Sequence, residues 1–263
     1  MAGGIYVERR IRAGMELLWE RTQDPVRHQR WDLRFTEIVA LEGAEGAEKP
    51  GRPEAPEAPG RPDGPGVSGG EGRPVRFRYA TRVVPGLVIA GTGVSAGERR
   101  RPDGTRTSAL RFRSPHPLSL LAEGSGYWRY VPAGEPEDGI RFLTGYDYRP
   151  RWGRPGRVAD RWVFRPLMGW ATAWSFDRLR LWCERGVRPE RALRQALGEA
   201  LGRSAAVAAA VVYAAGSPSA AALGAVFAVV SLALGLPPLP RTPAARRCLR
   251  RPPRVAVPGG PAR

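Results

Sequence analysis

Asp160-Arg161-Trp162-Val163-Phe164-Arg165-Pro166-Leu167-Met168-Gly169-Trp170-Ala171-Thr172-Ala173-Trp174-Ser175-Phe176-Asp177-Arg178-Leu179-Arg180-Leu181-Trp182-Cys183-Glu184 is the stretch that decides the fold. Val163, Leu167, Trp170, Ala171, Trp174, Arg178 and Leu181 recur at the spacing of one helical stripe, which predicts a long amphipathic helix over about 160–184. Pro166 lies near its start, where a missing backbone donor is tolerated. Upstream the period changes to two. Ile140 to Tyr148, Ser125 to Val131, Thr105 to Arg113, Leu87 to Ser95 and Val75 to Thr81 are rich in β-branched and aromatic residues, with Gly or Pro clusters between them. These spacings predict an antiparallel meander. Further upstream, Phe35 to Leu41 reads as another strand, Met15 to Arg21 as a short helix, Arg27 to Arg34 as a further turn of helix, and residues 4–12 as the first strand. The expected fold class is α+β, a curved antiparallel sheet wrapped on a long C-terminal helix.

Two stretches depart from that plan. In residues 43–74, 16 of 32 positions are Pro or Gly, in near repeats such as Gly51-Arg52-Pro53-Glu54-Ala55-Pro56. Such a composition lacks the apolar content for a core and predicts a disordered insertion within the 1–185 domain. From Ala205 to Leu236 there is no charged residue over 32 positions, whereas one spanning helix needs about 20. Gly216-Ser217-Pro218-Ser219 divides this stretch with turn chemistry. The expectation is a hydrophobic membrane segment over 204–237 made of two helices, after a basic connector at 186–203 and before a basic disordered tail at 238–263. Arg188, Arg191, Arg194 and Arg203 precede the segment and seven arginines follow it from Arg241 onward. Arginine favours the cytoplasmic side. A hairpin keeps both flanks there, so the protein is expected at a membrane with its main domain facing the cytoplasm. The N-terminus shows no basic region followed by an apolar core, and Cys183 and Cys248 lack the spacing of a disulfide framework or zinc site.

The formal charge of +17 is carried almost wholly by arginine, Lys49 being the only lysine. Seven of the arginines cluster beside the apolar segment, a membrane-flank pattern, and no nucleic-acid partner is expected.

The layout, together with Trp31-Asp32-Leu33-Arg34-Phe35-Thr36-Glu37-Ile38 and Trp174-Ser175-Phe176-Asp177-Arg178-Leu179-Arg180, resembles the START-like (SRPBCC) superfamily that includes polyketide cyclases. The resemblance covers about residues 3–185. It implies a helix-grip fold enclosing an elongated apolar cavity that takes a lipid or another hydrophobic small molecule, and in some members performs chemistry. Fold alone does not select the activity. Three readings follow: a membrane-tethered binder of a hydrophobic molecule, a cyclase or dehydratase-like enzyme, and a membrane-bound assembly factor gripping a partner protein.

Candidate site residues are few. His28 and His116 have no neighbours at metal-ligand spacing, and no phosphate-cradling loop or nucleophile elbow appears; neither a metal nor a cofactor is expected. His28 reads either as a general base at a cavity mouth or as a hydrogen-bonded turn residue, and His116, between two prolines, belongs to a loop. Trp31, Asp32 and Arg34 form the most distinctive cluster: the guanidinium either fixes the turn by pairing with Asp32 or anchors an acidic head group. Glu123, Tyr127, Tyr146, Asp147 and Tyr148 are the carboxyls and phenols available to a cavity. Tyr146 and Tyr148 share a strand face with Phe142, and that face serves either as core or as a ligand wall. Trp170 and Trp174, one turn apart, are expected on the cavity roof.

Overall fold

The computed structural model describes residues 4–41, 76–84, 86–135 and 138–253. A first strand, β1 (Ile5–Ile11), leads into two short helices, α1 (Met15–Gln23) and α2 (Pro25–Trp31). Asp24 separates the helices: its Oδ1 accepts from the backbone N–H of Val26 at 2.8 Å, and Pro25 occupies the first position of α2, where no N–H is needed. Six strands follow: β2 (Glu37–Leu41), β3 (Arg76–Val84), β4 (Leu87–Arg100), β5 (Arg106–Arg113), β6 (Leu121–Pro132) and β7 (Ile140–Pro150). They form one open seven-stranded antiparallel sheet in the order β1-β7-β6-β5-β4-β3-β2. The chain thus runs as a meander from β2 to β7, and β1 pairs with the last strand. The proposed insertion at 43–74 lies outside the described residues.

Register decides which side chains face inward. Ile5, Val7 and Ile11 stand opposite Tyr146, Thr144 and Ile140, and Trp128 and Tyr130 on β6 stand opposite Thr144 and Phe142 on β7. Directly opposed residues share a face. These files form the buried core together with Trp31 of α2 and Phe176 and Leu179 from the long helix.

That helix begins earlier than its stripe predicts. α3 (Gly153–Ala159) runs into a π-helical turn at Asp160–Phe164 and then into α4 (Arg165–Arg185). Every residue from Ala171 to Trp182 is buried, because the sheet, the next helix and the C-terminal tail surround this half. The first half is covered on the sheet side alone, so Val163, Leu167 and Trp170 are exposed despite lying on the same stripe. This sheet gripped onto a long helix is a helix-grip fold.

After Gly186, a left-handed residue that ends α4 (φ 62°), α5 (Pro189–Gly216) is a single helix of 28 residues. The expected connector is therefore its first half, docked through Ala192 against Leu181 and Val187. A turn leads to α6 (Ala220–Gly235), whose first turn is capped by Ser219 Oγ accepting from the backbone N–H of Ala222. The tail is also corrected by the structure. Instead of leaving as a disordered segment at 238, the chain returns to the domain, buries Ala244, Ala245 and Cys248, and pairs Leu249 with Glu8 on the outer edge of β1 through two 2.9 Å backbone hydrogen bonds. Its sequence concealed this because the buried side chains are small and stand between arginines. The remainder of the tail, 254–263, lies outside the described residues.

Candidate functional site

The end of α2 and the loop after it carry the most concentrated polar chemistry inside the domain. Trp31, the last residue of α2, is wholly buried, with its indole N–H donating to the Arg21 carbonyl at 2.8 Å. The next residue leaves the helix, and the Asp32 carboxylate, fully buried, turns back on its own loop. Its Oδ1 accepts from the backbone N–H of Arg34 at 3.0 Å and from Arg34 Nε at 2.9 Å, and its Oδ2 accepts from Arg34 Nη2 at 2.6 Å. His28 Nε2 lies 3.0 Å from the same Oδ2. The loop is held from both sides: the Leu33 N–H donates to Ser175 Oγ on α4 at 2.8 Å, and Thr81 of β3 donates to the Arg34 carbonyl at 2.5 Å.

Aromatic rings enclose this cluster. His28 stacks on Trp31 at 4.9 Å and meets Phe35 and Trp128 edge-on at 5.5 and 4.8 Å. The Arg34 guanidinium lies over the rings of Phe35 and Tyr146 at 5.3 and 5.5 Å, a favourable placement for a poorly hydrated cation. The Tyr146 hydroxyl is 2.9 Å from Thr172 Oγ1 on α4. Burial dominates the electrostatics. It pushes the His28 imidazole below its ordinary value, and the nearby Arg34 charge adds to the effect, outweighing the contact with Asp32. Burial alone would raise the Asp32 carboxyl, but Arg34, and to a lesser degree His28, hold it well below the usual carboxylate range. The arrangement is a neutral histidine, an ionised carboxylate and a guanidinium shared between Asp32 and Tyr146, all enclosed by aromatic rings.

The inner face beside this cluster has glycine where side chains would stand. A Cβ on Gly93 would come within 2.2 Å of the Phe77 ring, and one on Gly124 within 2.5 Å of the Phe112 ring. Both rings lie flat against the sheet because these positions are bare.

Arg34 and Tyr146 are brought together, and His28 links Trp31 to the same cluster. Trp174 is in the core. Tyr148 faces inward but belongs to a second cluster, where its hydroxyl donates to Asp160 at 2.5 Å while Arg165 Nε pairs with the same carboxylate at 3.0 Å. Tyr127 does not join them: its ring lies on the opposite face of the sheet over Gly145, beside Arg129. Glu123 and Asp147 also face outward, into a groove of about 600 Å³ that they share with Arg111, Arg113, Ser125 and Arg149. Trp170 stacks on Trp174 at 6.4 Å but is 42% exposed, an outer position and not a cavity roof. His28, expected at a turn or a mouth, joins the cluster itself. Thr172 and Trp128 were missed. The i, i+4 spacing of His28 and Asp32 on one helix and its end is the sequence signal that could have linked them.

No family model matches the sequence. The chain is 42% identical over 194 residues to the uncharacterized membrane protein YndG of Bacillus subtilis (strain 168), covering 73% of this chain and 62% of that protein. The chain thus spans about three-fifths of the length of that relative. Among solved structures it is similar to a START superfamily protein from Mycobacterium smegmatis, at 13% identity over 66% of this chain and 94% of that one, with a TM-score of 0.39. It is also similar to the Zhui aromatase/cyclase from Streptomyces sp. R1128, at 13% identity over 67% and 94% of the two chains, with a TM-score of 0.37. A third similar structure is the di-domain ARO/CYC StfQ from the steffimycin biosynthetic pathway, at 11% identity, 67% and 48% coverage and a TM-score of 0.43. At these scores the fold assignment rests on the strand order and on the grip of α4 described above.

Proposed function

We propose that this protein is a helix-grip domain held at a membrane by the α5–α6 hairpin, and that it binds a hydrophobic small molecule or lipid whose polar end meets Arg34, His28 and Tyr146. The observation that carries the ligand reading is the buried Asp32–Arg34 pair. Asp32 engages Nε and Nη2 of the guanidinium, and the cation is retained among aromatic rings, where a simple ion pair gives little net stability. Such a group is suited to orienting an acidic or carbonyl-bearing ligand end within an apolar site.

The tether reading rests on exposure and on chain path. Val212, Phe227 and Leu234 are more than 70% exposed, and apolar surface on this scale marks a membrane or partner contact. α5 is long and apolar enough to cross a membrane, and α6 is shorter. The Arg203 guanidinium donates to the carbonyls of Ala233 and Leu236 at 2.6 and 2.9 Å and to Glu199 at 2.5 Å. It thereby places the start of the uncharged stretch level with the end of α6. The tail then docks on the domain, so both ends of the hairpin lie on the domain's side, which agrees with the arginine-rich flanks. That shared side is read as cytoplasmic.

A second reading has one observation in its favour. His28 held against a buried carboxylate has the geometry of a base with its orienting group, so a cyclase or dehydratase-like reaction on the bound molecule is the alternative.

Native mass spectrometry of the full chain released from detergent tests the ligand reading. The expected result is a bound hydrophobic molecule that is lost or weakened in the double variant Asp32→Asn/Arg34→Met, in which no buried carboxylate is stranded and the fold remains. A spectrum showing the bare polypeptide together with a stable protein partner would overturn it in favour of an assembly factor.

A further inference from the structure

Apart from the proposed ligand site and the hairpin, the outer side of α3, the π turn and the start of α4 carries exposed apolar groups among the described residues. Trp162 is 72% exposed, Val158 61% and Leu167 55%, three large apolar groups on consecutive turns of one continuous helical rod. Trp162 stands on the π turn, with Val158 before it and Leu167 after it. Asp160 of the same turn is buried, 5% exposed and engaged with Tyr148 and Arg165, while Trp162 and Val163 are exposed.

Charge identifies the occupant of this surface. Between Arg151 and Phe176 the only acidic residue is Asp160, and its carboxylate is spent within the fold. Arg154, Arg157 and Arg161 are all exposed on the same rod. Asp147 on β7 pairs with Arg165 at 3.5 Å. Exposed tryptophan flanked by arginine, on a rod whose one carboxylate is buried, matches the headgroup layer of an anionic bilayer. There the indole spans the boundary between polar and apolar regions and the guanidinium meets lipid phosphate. A protein partner of ordinary composition would not require so one-sided a charge.

We propose that the rod from Trp152 to Trp170 is a second membrane contact, lying in the plane of the interface with Trp162 and Leu167 bedded among anionic headgroups. It rests on the bilayer reading of the hairpin, and it adds an orientation: the domain lies down on the membrane instead of hanging from a flexible stalk. Because α4 closes the sheet on the other side of the same rod, the bedded surface and the Tyr148–Asp160–Arg165 cluster share one helical wall.

The tryptophans allow a direct test. All eight precede the hairpin, so quenching of tryptophan fluorescence by brominated lipid reports contact by the domain alone. Full-length protein is reconstituted in vesicles of phosphatidylcholine and phosphatidylglycerol, with or without bromine on the acyl chains. The expected result is strong quenching in brominated vesicles, reduced by at least about half in Trp162→Phe. Arg154→Gln, Arg157→Gln and Arg161→Gln together should weaken it further, and the protein should still float with the vesicles. Protein that floats with vesicles but shows equal fluorescence in both lipids would overturn the proposal while leaving the hairpin intact. Protein that fails to float would overturn both. If quenching is absent and Trp162→Arg halves the particle mass in detergent, the surface joins two copies of the chain, and the bilayer is the wrong occupant.

Discussion

The wholly buried carboxylate of Asp177 on α4 receives the guanidinium of Arg247, from the far end of the chain, at 3.0 Å. The same carboxylate accepts from Arg180 Nε at 2.7 Å and from the backbone N–H of Ala244 at 2.9 Å. One side chain in the middle of the long helix thus fixes the segment that follows the hairpin.

Asp177→Ala should therefore release the tail. Removing the carboxylate leaves Arg180 and Arg247 without their buried counter-charge, a loss of about 3–5 kcal/mol. Limited trypsin digestion of the full chain in detergent is expected to cleave after Arg246 or Arg247 many-fold faster in the variant, with the hairpin still attached. Unchanged cleavage would mean that the tail is held without Asp177.

The Asp32–Arg34 pair should behave as a buried pair and not as a surface one. Arg34→Met strands a charged carboxylate and should cost about 3–5 kcal/mol, whereas Asp32→Asn combined with Arg34→Met should recover a large part of that loss. Thermal unfolding of the two variants in the same detergent checks this. Equal destabilisation by the single and double variants would contradict the pairing.

His28 sets a pH limit. Its folded-state value lies below the ordinary 6.5 because burial opposes the imidazolium, so below pH 6.5 the unfolded chain binds the proton that the folded chain refuses. Stability from this group is complete above pH 6.5 and declines as the pH falls from there toward the depressed value. Asp32, shifted in the acid direction, contributes its own loss only at lower pH, below the ordinary 3.8. The melting temperature should therefore drop between pH 6.5 and 5, and His28→Gln should flatten that drop.

Gly93→Ala should be destabilising by about 1–3 kcal/mol, since its Cβ would strike the Phe77 ring. Phe77→Leu in the same chain should return part of the loss. An additive double variant, measured by chemical denaturation, would show that the ring does not occupy that space.

The fold was largely visible in the sequence because its signals are periodic: a β meander with a two-residue repeat, followed by a helical stripe ending in the buried run from Ala171 to Trp182. Side-chain direction was harder to read. Tyr127 and Trp128 are adjacent aromatics on β6, and only the pairing of Trp128 with Thr144, with Gly145 left under Tyr127, decides which one points inward. Trp170 fell on the right stripe but at a level of the helix that nothing covers. The tail was invisible because its anchors are Ala244, Ala245, Cys248 and one long-range ion pair, none of which raises local hydrophobicity. Within the site, Arg34 and Tyr146 were legible as residue types, while their meeting depends on β7 crossing beneath the α2 loop, a non-local contact that no local pattern encodes.

The central claim, that the apolar hairpin holds this helix-grip domain at a membrane, is tested most directly by excising residues 204–235 and rejoining the ends. Truncation after Arg203 would be a poorer test, since it also removes Ala244, Ala245 and Cys248 from the core. The contacts of Arg203 with Ala233, Leu236 and Pro237 bring the two ends close enough for a short linker. Membrane fractions of cells making either protein are washed at alkaline pH. The account predicts that the full chain stays in the pellet while the excised protein is released in folded form. Release of the full chain by the same wash, or retention of both proteins, would contradict it.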